Sequence, residues 1–430
     1  MELLEKLFAL KQNNTTVKTE LLAGLTTFFT MSYLFVVSPK ILEVTGADFS
    51  VLVVVTSLVT FIASMLMGFI GNKPYAVAPL LGETAFISYT VVGTMGNSLK
   101  TALAAIFVCG IFLFLMTILN IRTYIVNKIP EVIKLSFCIG LGMFFSFIAL
   151  RDMGVVVFTQ NPIPLQAGNF ADIHTLLAIF CFLLIIALSK KQIKGAVLIA
   201  IITTAIIGIC IGDVELPSKI ISVPTDISSS FMQIDLYGLL NKDFLPILFV
   251  LFLLVNIDTA GALIGLSYKG HNENSNLKRP MIADSLSVII APLFGTTTTG
   301  AYLDSMTGMS AGGRTGLSAV TVGALFLCGL FFTPILTVIP PYAYAPALLY
   351  VGILMTSVIT GIDFDDISEY ACSIFIICTM IFTYNIGTGI ISGFVIYPII
   401  KILCGQKEKT NPVIWGLFVL SVLYFIFYPN

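Results

Sequence analysis

The sequence predicts an all-α polytopic membrane protein with fourteen transmembrane segments in a seven-plus-seven inverted repeat, the third and tenth broken into a short strand plus a half-helix. Three observations lead there. Hydrophobic residues make up 57% of the 430 and charged residues only 10%, with a mean hydropathy of +1.01, well beyond the apolar share of a globular chain. Apolar runs of about 20 residues, the length that crosses a bilayer, recur along the chain with short polar breaks. Two stretches between such runs, about 75–93 and 295–312, have no continuous apolar span of their own.

In chain order the spans fall at about 20–39, 50–71, the broken 75–93, 99–120, 131–150, 173–189 and 195–212. After a polar stretch at 213–242 come 243–266, 280–294, the broken 295–312, 315–334, 345–361, 368–386 and 388–404. The last apolar piece, Pro412 to Tyr428, has about the length of a span and could equally lie on the membrane surface. The opening residues lack a short apolar core followed by a small-residue cleavage site, so no cleaved signal peptide is expected.

The second broken stretch, from Gly295, reads GTTTTGAYLDSMTGMSAGGRTGLSAV. Four threonines favour an extended backbone, Gly300 permits unusual dihedrals or a close approach, and a short helical run begins near Tyr302. The first, YAVAPLLGETAFISYTVVG from Tyr75, repeats the design: Pro79 removes a backbone donor, and Glu83 and Thr84 open a half-helix. Irregular backbone at membrane depth is tolerated only where protein or a cavity surrounds it, and paired broken segments of this kind build midplane substrate sites in secondary transporters. Half-helix N-termini offer unpaired N–H groups and partial positive charge.

Loop charges set the orientation. With the N-terminus cytoplasmic, seventeen of the 22 Lys and Arg face the cytoplasm, Arg122, Lys269, Lys278 and Lys401 among them, and Lys40, Lys100, Arg151, Lys219 and Lys242 face outward. AAIFVCGIFLF from Ala104 and GALFLCGLFF from Gly323 match at a constant offset, pairing Cys109 with Cys328 and Gly110 with Gly329. Because each half holds an odd number of spans, the second half is inverted relative to the first.

Acids inside the bilayer are costly and mark pathways. Asp258, in LFLLVNIDTAGALIGL beside Asn256 and Thr259, and Asp304, next to the chain break, are the leading candidates for substrate contact and proton coupling. Glu83 either contacts substrate or bonds locally, and Asp284 in MIADSLSVIIAP reads as a packing or relay residue with a claim on coupling. Arg314 and the DFDD turn at Asp363, Asp365 and Asp366 read as solvated charges. The eight cysteines form no CxxC pair and read as core residues, and His174 and His271 read as loop residues rather than metal ligands, so neither metal nor cofactor is expected.

LLAGLTTFFTMSYLFVVSPKIL from Leu21, APLLGETAFISYTVVG from Ala78, NIDTAGALIG, IADSLS and SAGGRTGLSAV from Ser310 resemble, in the right order from about 17 to 404, the adenine/guanine/hypoxanthine permease family, related to uracil and xanthine permeases. That resemblance implies a core subdomain (about 19–120 and 243–335) rocking against a gate subdomain (about 121–242 and 336–404), with 405–430 as a tail, and proton-coupled uptake of a purine base. By position it places the family's two site acids on Asp258 and Asp304. Where the family has Y-I-E-S this chain has Tyr302-Leu303-Asp304-Ser305, which retracts the carboxylate by one methylene. The family's A-P-G-M-G-x-N-A becomes Ala78-Pro79-Leu80-Leu81-Gly82-Glu83-Thr84-Ala85, with Thr84 in place of an amide.

A flat, neutral base studded with donors and acceptors wants carboxylate acceptors, backbone N–H donors and aromatic faces; Asp258, Asp304, Glu83, Thr84 and Tyr302 supply these, with Phe28, Tyr33 and Phe86 nearby in the sequence pattern. The choice of proton over sodium follows from the resemblance. Transport of another planar heterocycle, or of an anion on the same fold, remains open, although two acids would repel an anion. A membrane-embedded enzyme would want a DDxxD-type metal pair or a histidine-rich cluster facing a cavity, and none faces a cavity predicted from the sequence. The expected partners are a nucleobase, a proton and the lipid of a cell membrane. A homodimer is left open, and the net charge of -1 gives no reason to expect nucleic acid.

Overall fold

The structure, a computed structural model, describes residues 2–159, 164–217, 219–240, 244–269 and 277–427. Lys242, His271 and Tyr428 lie outside the described residues, so the readings of the first two as loop residues and of the last as the end of an apolar piece do too. In chain order the elements are α1 (Glu2–Phe8), α2 (Val17–Met31), α3 (Leu34–Glu43), α4 (Phe49–Leu66, prolonged to Gly71 by a wide π turn), β1 (Val77–Pro79), α5 (Leu81–Ala85, prolonged to Thr94 in π turns), α6 (Leu99–Ile118), α7 (Ile121–Lys128), α8 (Glu131–Asp152), β2 (Val156–Phe158), β3 (Leu165–Ala167), α9 (Ile173–Lys190) and α10 (Ala196–Cys210). Then follow α11 (Phe244–Lys269), α12 (Lys278–Phe294), β4 (Thr299–Ala301), α13 (Ser305–Ser310), α14 (Gly316–Gly329), α15 (Thr333–Thr337), α16 (Pro341–Thr356), α17 (Ile367–Phe382), α18 (Ile386–Leu403) and α19 (Pro412–Phe427).

Helix starts follow from local chemistry. Thr16, Asp48, Ser98, Asp172, Thr315, Asp366 and Asn385 each accept a backbone N–H of the first turn of the helix they precede, which satisfies a donor that the helix itself leaves free. Among the described residues nine helical stretches are long and apolar enough to cross a membrane; Ala196–Cys210, Ile367–Phe382 and Pro412–Phe427 are shorter apolar helices. One of the nine, Val17–Glu43, joins α2 and α3 across Ser32 and Tyr33. A two-stranded ladder that the sequence pattern did not reveal, β2 with β3, forms a hairpin after α8.

The chain divides into two compact units, Met1–Val126 with Pro217–Val338, and Asn127–Leu216 with Ile339–Asn430. In the first, β1 and β4 pair antiparallel, α6 packs on α12 and α11, and α14 packs on α4 and α2. Glu20 of α2, wholly buried, accepts the N–H groups of Arg314 at 2.8 Å and Thr315 at 3.2 Å and the hydroxyl of Ser318 at 2.5 Å. It thereby satisfies the backbone entering α14. Arg314 itself is exposed, as the sequence suggested.

In the second unit, α8 packs on α16 and α17, α16 on α9 and α10, and α17 on α18. Where α8 meets α16, a Cβ on Gly142 or Gly352 would strike the carbonyl of the other, the close backbone approach that small residues allow in a bilayer. α19 buries Ile414, Leu417, Ser421 and Tyr424 and packs on α18.

Two cations counted among the loop charges are in fact wholly buried, Arg122 and Lys401. Lys401 donates to Ser368 at 2.6 Å and Gln406 at 2.9 Å and pairs with Glu369. Arg122 pairs with Asp284 at 2.9 Å. A tally of loop charges cannot register such burial, because several of the partners lie far along the chain.

Candidate functional site

The two broken segments meet in the first unit. Val77 lies opposite Ala301, Ala78 opposite Gly300 and Pro79 opposite Thr299. The ladder is lengthened at its ends by Leu80 N–H to the Thr298 carbonyl at 2.9 Å and Tyr302 N–H to the Ala76 carbonyl at 3.0 Å. Further backbone groups are met by side chains: Ser64 exchanges hydrogen bonds with the N–H and carbonyl of Val77, both at 3.1 Å, and Ser305 accepts the N–H of Ala76 at 3.0 Å. Extended backbone is sustained in this apolar setting because each segment supplies what the other lacks.

Since the strands run antiparallel, α5 and α13 leave from opposite ends of the ladder. Gly300 is needed for close approach rather than for unusual dihedrals: a Cβ there would stand 2.6 Å from Thr259 Cγ2 and 2.8 Å from Leu80 Cδ1. The half-helix expected from Tyr302 begins at Ser305, with Asp304 as its N-cap residue.

The acids gather around this ladder. Asp304 is half-buried, and its carboxylate makes no capping bond. Asp258 is half-buried on α11, which packs on both β4 and α5. Glu83, in the first turn of α5, is 1% exposed. Tyr302, buried, donates its hydroxyl to the Pro79 carbonyl at 2.6 Å and lies within electrostatic reach of Asp258, Asp304 and Glu83. Thr84 is committed elsewhere, donating to the Leu80 carbonyl at 2.7 Å and sharing a 2.6 Å contact with the Thr297 hydroxyl.

Asp284 stands apart as the fixed partner of Arg122. The guanidinium also donates to Ser285 at 3.1 Å and to Thr259, and Thr117 lies 3.1 Å from Ser285. Thr259 is the residue next to Asp258, so this ion-pair network reaches the edge of the site. Sequence reasoning missed Arg122; the available signal was a cation following directly on an apolar span.

Two half-buried carboxylates beside a tyrosine can accept N–H groups of a planar ligand. Of the aromatic faces considered, Phe28 packs edge-on against Phe326 at 5.4 Å and touches Phe29 and Phe35, while Tyr33 and Phe86 are buried. Among the described residues no three His, Cys, Asp or Glu side chains group as a metal site.

Comparison with known proteins gives consistent matches. Residues 18–392 match the Permease family profile, Xan_ur_permease. The adenine permease AdeQ of Escherichia coli K12 is 38% identical over 98% of this chain and 96% of its own length. The guanine/hypoxanthine permease PbuG of Bacillus subtilis 168 is 32% identical over 98% and 99%. Among solved structures, the transmembrane domain of a cyanobacterium bicarbonate transporter, BicA, superposes with a TM-score of 0.66 at 18% identity, covering 86% of this chain and 97% of that one, a likeness of fold.

Proposed function

This chain belongs to the Permease family and is a multi-pass membrane transporter, and from that premise we propose that it takes up a purine base together with a proton across the cell membrane by alternating access. The observation that carries the reading is the β1–β4 ladder, which gathers Asp258, Asp304 and Tyr302 at the junction of the two broken segments. Asp258 and Asp304, part-open, accept N–H groups of the base. Relatives whose names specify adenine, or guanine and hypoxanthine, support a purine as the cargo.

A seven-plus-seven inverted repeat accounts for the packing. Exchanging the halves turns the contacts of α6 with α12 and α11 into those of α14 with α4 and α2, and those of α8 with α17 into those of α16 with α9. On this reading the core subdomain carries the base and rocks against the gate subdomain, with the N-terminus cytoplasmic. Cysteine at Lys278 would then be labelled by an impermeant reagent from the cytoplasmic face alone.

The test of cargo is a competition uptake assay with a panel of nucleobases. Adenine, guanine or hypoxanthine should compete for uptake where uracil and bicarbonate do not. Competition by an anion and by no purine would sink the reading.

A further inference from the structure

Among the described acids of its unit, Glu83 differs in being almost wholly buried with both carboxyl oxygens unpartnered by another residue. Asp284 is neutralised by Arg122, and Asp258 and Asp304 keep part of their surface open. Glu83 is 1% exposed, and beyond its own backbone N–H neither carboxyl oxygen has a hydrogen-bond partner among the described residues.

Among the described residues, the ionisable groups around it supply no compensating charge. Asp258 on α11 and Asp284 on α12 are acids within electrostatic reach; Tyr302 and Cys109 of α6 are the other titratable groups that sense it. The helical run of Glu83 itself adds Tyr89. α3, which packs on α5, follows Tyr33 and carries Lys40 and Glu43, paired with each other at 2.9 Å. Arg122 is held by Asp284. An ionised Glu83 would be a buried, unpaired charge beside acids of like sign, which costs far more than carrying a proton.

We propose that Glu83 is the residue that carries the coupled proton: its carboxyl oxygen holds the proton in this buried conformation and releases it to water when the transport cycle opens its surroundings to the cytoplasm. Asp284, locked to Arg122, is then a fixed charge, and Asp258 and Asp304 are left to the substrate. This assignment rests on the proton-coupled reading above.

The test uses the full-length protein in liposomes loaded with a pH-sensitive dye, with adenine and hypoxanthine as the probes, and compares the parent with Glu83→Gln. Expected are proton entry with the base in the parent and, in Glu83→Gln, continued base exchange with loss of proton entry and of accumulation driven by an imposed proton gradient. Proton entry at the parent's ratio to base in Glu83→Gln overturns the assignment. So does failure of both Glu83→Gln and Glu83→Met to fold while Glu83→Asp folds normally, since no neutral side chain would then be accepted there. Glu83→Met, apolar and of similar length, carries the same readouts should the amide not fold. A parent that accumulates base with no proton movement overturns the coupling reading itself, an outcome visible before any variant is compared.

Discussion

The guanidinium of Arg122 and the carboxylate of Asp284 form a 2.9 Å ion pair with both side chains wholly shielded. Removing one partner strands the other charge in the protein interior, at a cost of about 3–5 kcal/mol. Arg122→Ala and Asp284→Asn should each lower the melting temperature in detergent sharply, and by comparable amounts. A small loss in either would mean that the pair does little for the fold.

Asp304 offers the sharpest test of the substrate site. Asp304→Asn keeps the size of the side chain but turns an acceptor-only group into one that also donates. Loss of a charge-assisted hydrogen bond costs about 1.5–3 kcal/mol, or about tenfold to a hundredfold in affinity, read as a rise in the inhibition constant of each base. Asp304→Glu extends the carboxylate by one methylene and should reorder the bases without abolishing uptake. Parent-like binding of every base by Asp304→Asn would remove Asp304 from the site.

Gly300→Ala should be poorly tolerated. The added methyl would meet Thr259 Cγ2 at 2.6 Å and Leu80 Cδ1 at 2.8 Å, an overpacking that costs about 1–3 kcal/mol. Gly416→Ala, with nothing within 4 Å, is the control and should leave both melting temperature and uptake near the parent. Equal tolerance of the two changes would contradict the close approach of β4 to α11 and to Leu80.

Acid stability should depend on Asp366. Hydrogen bonds from Ser368 foremost, then from Gln406 and Lys409, hold its carboxyl below the usual carboxylate range. A depressed value means that the stabilisation is fully present above the unfolded-state value of about 3.9 and is lost as pH falls through the folded-state value below it. Asp366→Asn should lower the melting temperature near neutral pH and flatten its fall in acid. An unchanged acid limb would show that Asp366 contributes nothing there.

Much of the candidate site's geometry was legible because its signals are local. Four threonines and Gly300 announced an extended segment, and Asp258 and Asp304 stood out against apolar neighbours. What escaped was set by contacts between residues far apart in sequence. Arg122 looked like a loop charge because Asp284 lies 162 positions away, and Thr84 looked free for substrate because its partner, Thr297, belongs to the other broken segment. Glu20 gave no signal at all: a lone acid in the first turn of a span does not disclose that it will hold the backbone of Arg314 and Thr315.

The β1–β4 ladder also governs which changes in chain length the protein can accept. Side chains alternate faces along a strand, so one residue added between Thr296 and Thr298 would shift the pairing with Val77–Pro79 and turn Thr299 and Ala301 to the opposite face. Asp304 would be carried along the chain with them, while Asp258, on a separate helix, would stay in place. Insertions that surface connections absorb readily should therefore be excluded from these few positions, where a change of side chain leaves the register intact and a change of length does not.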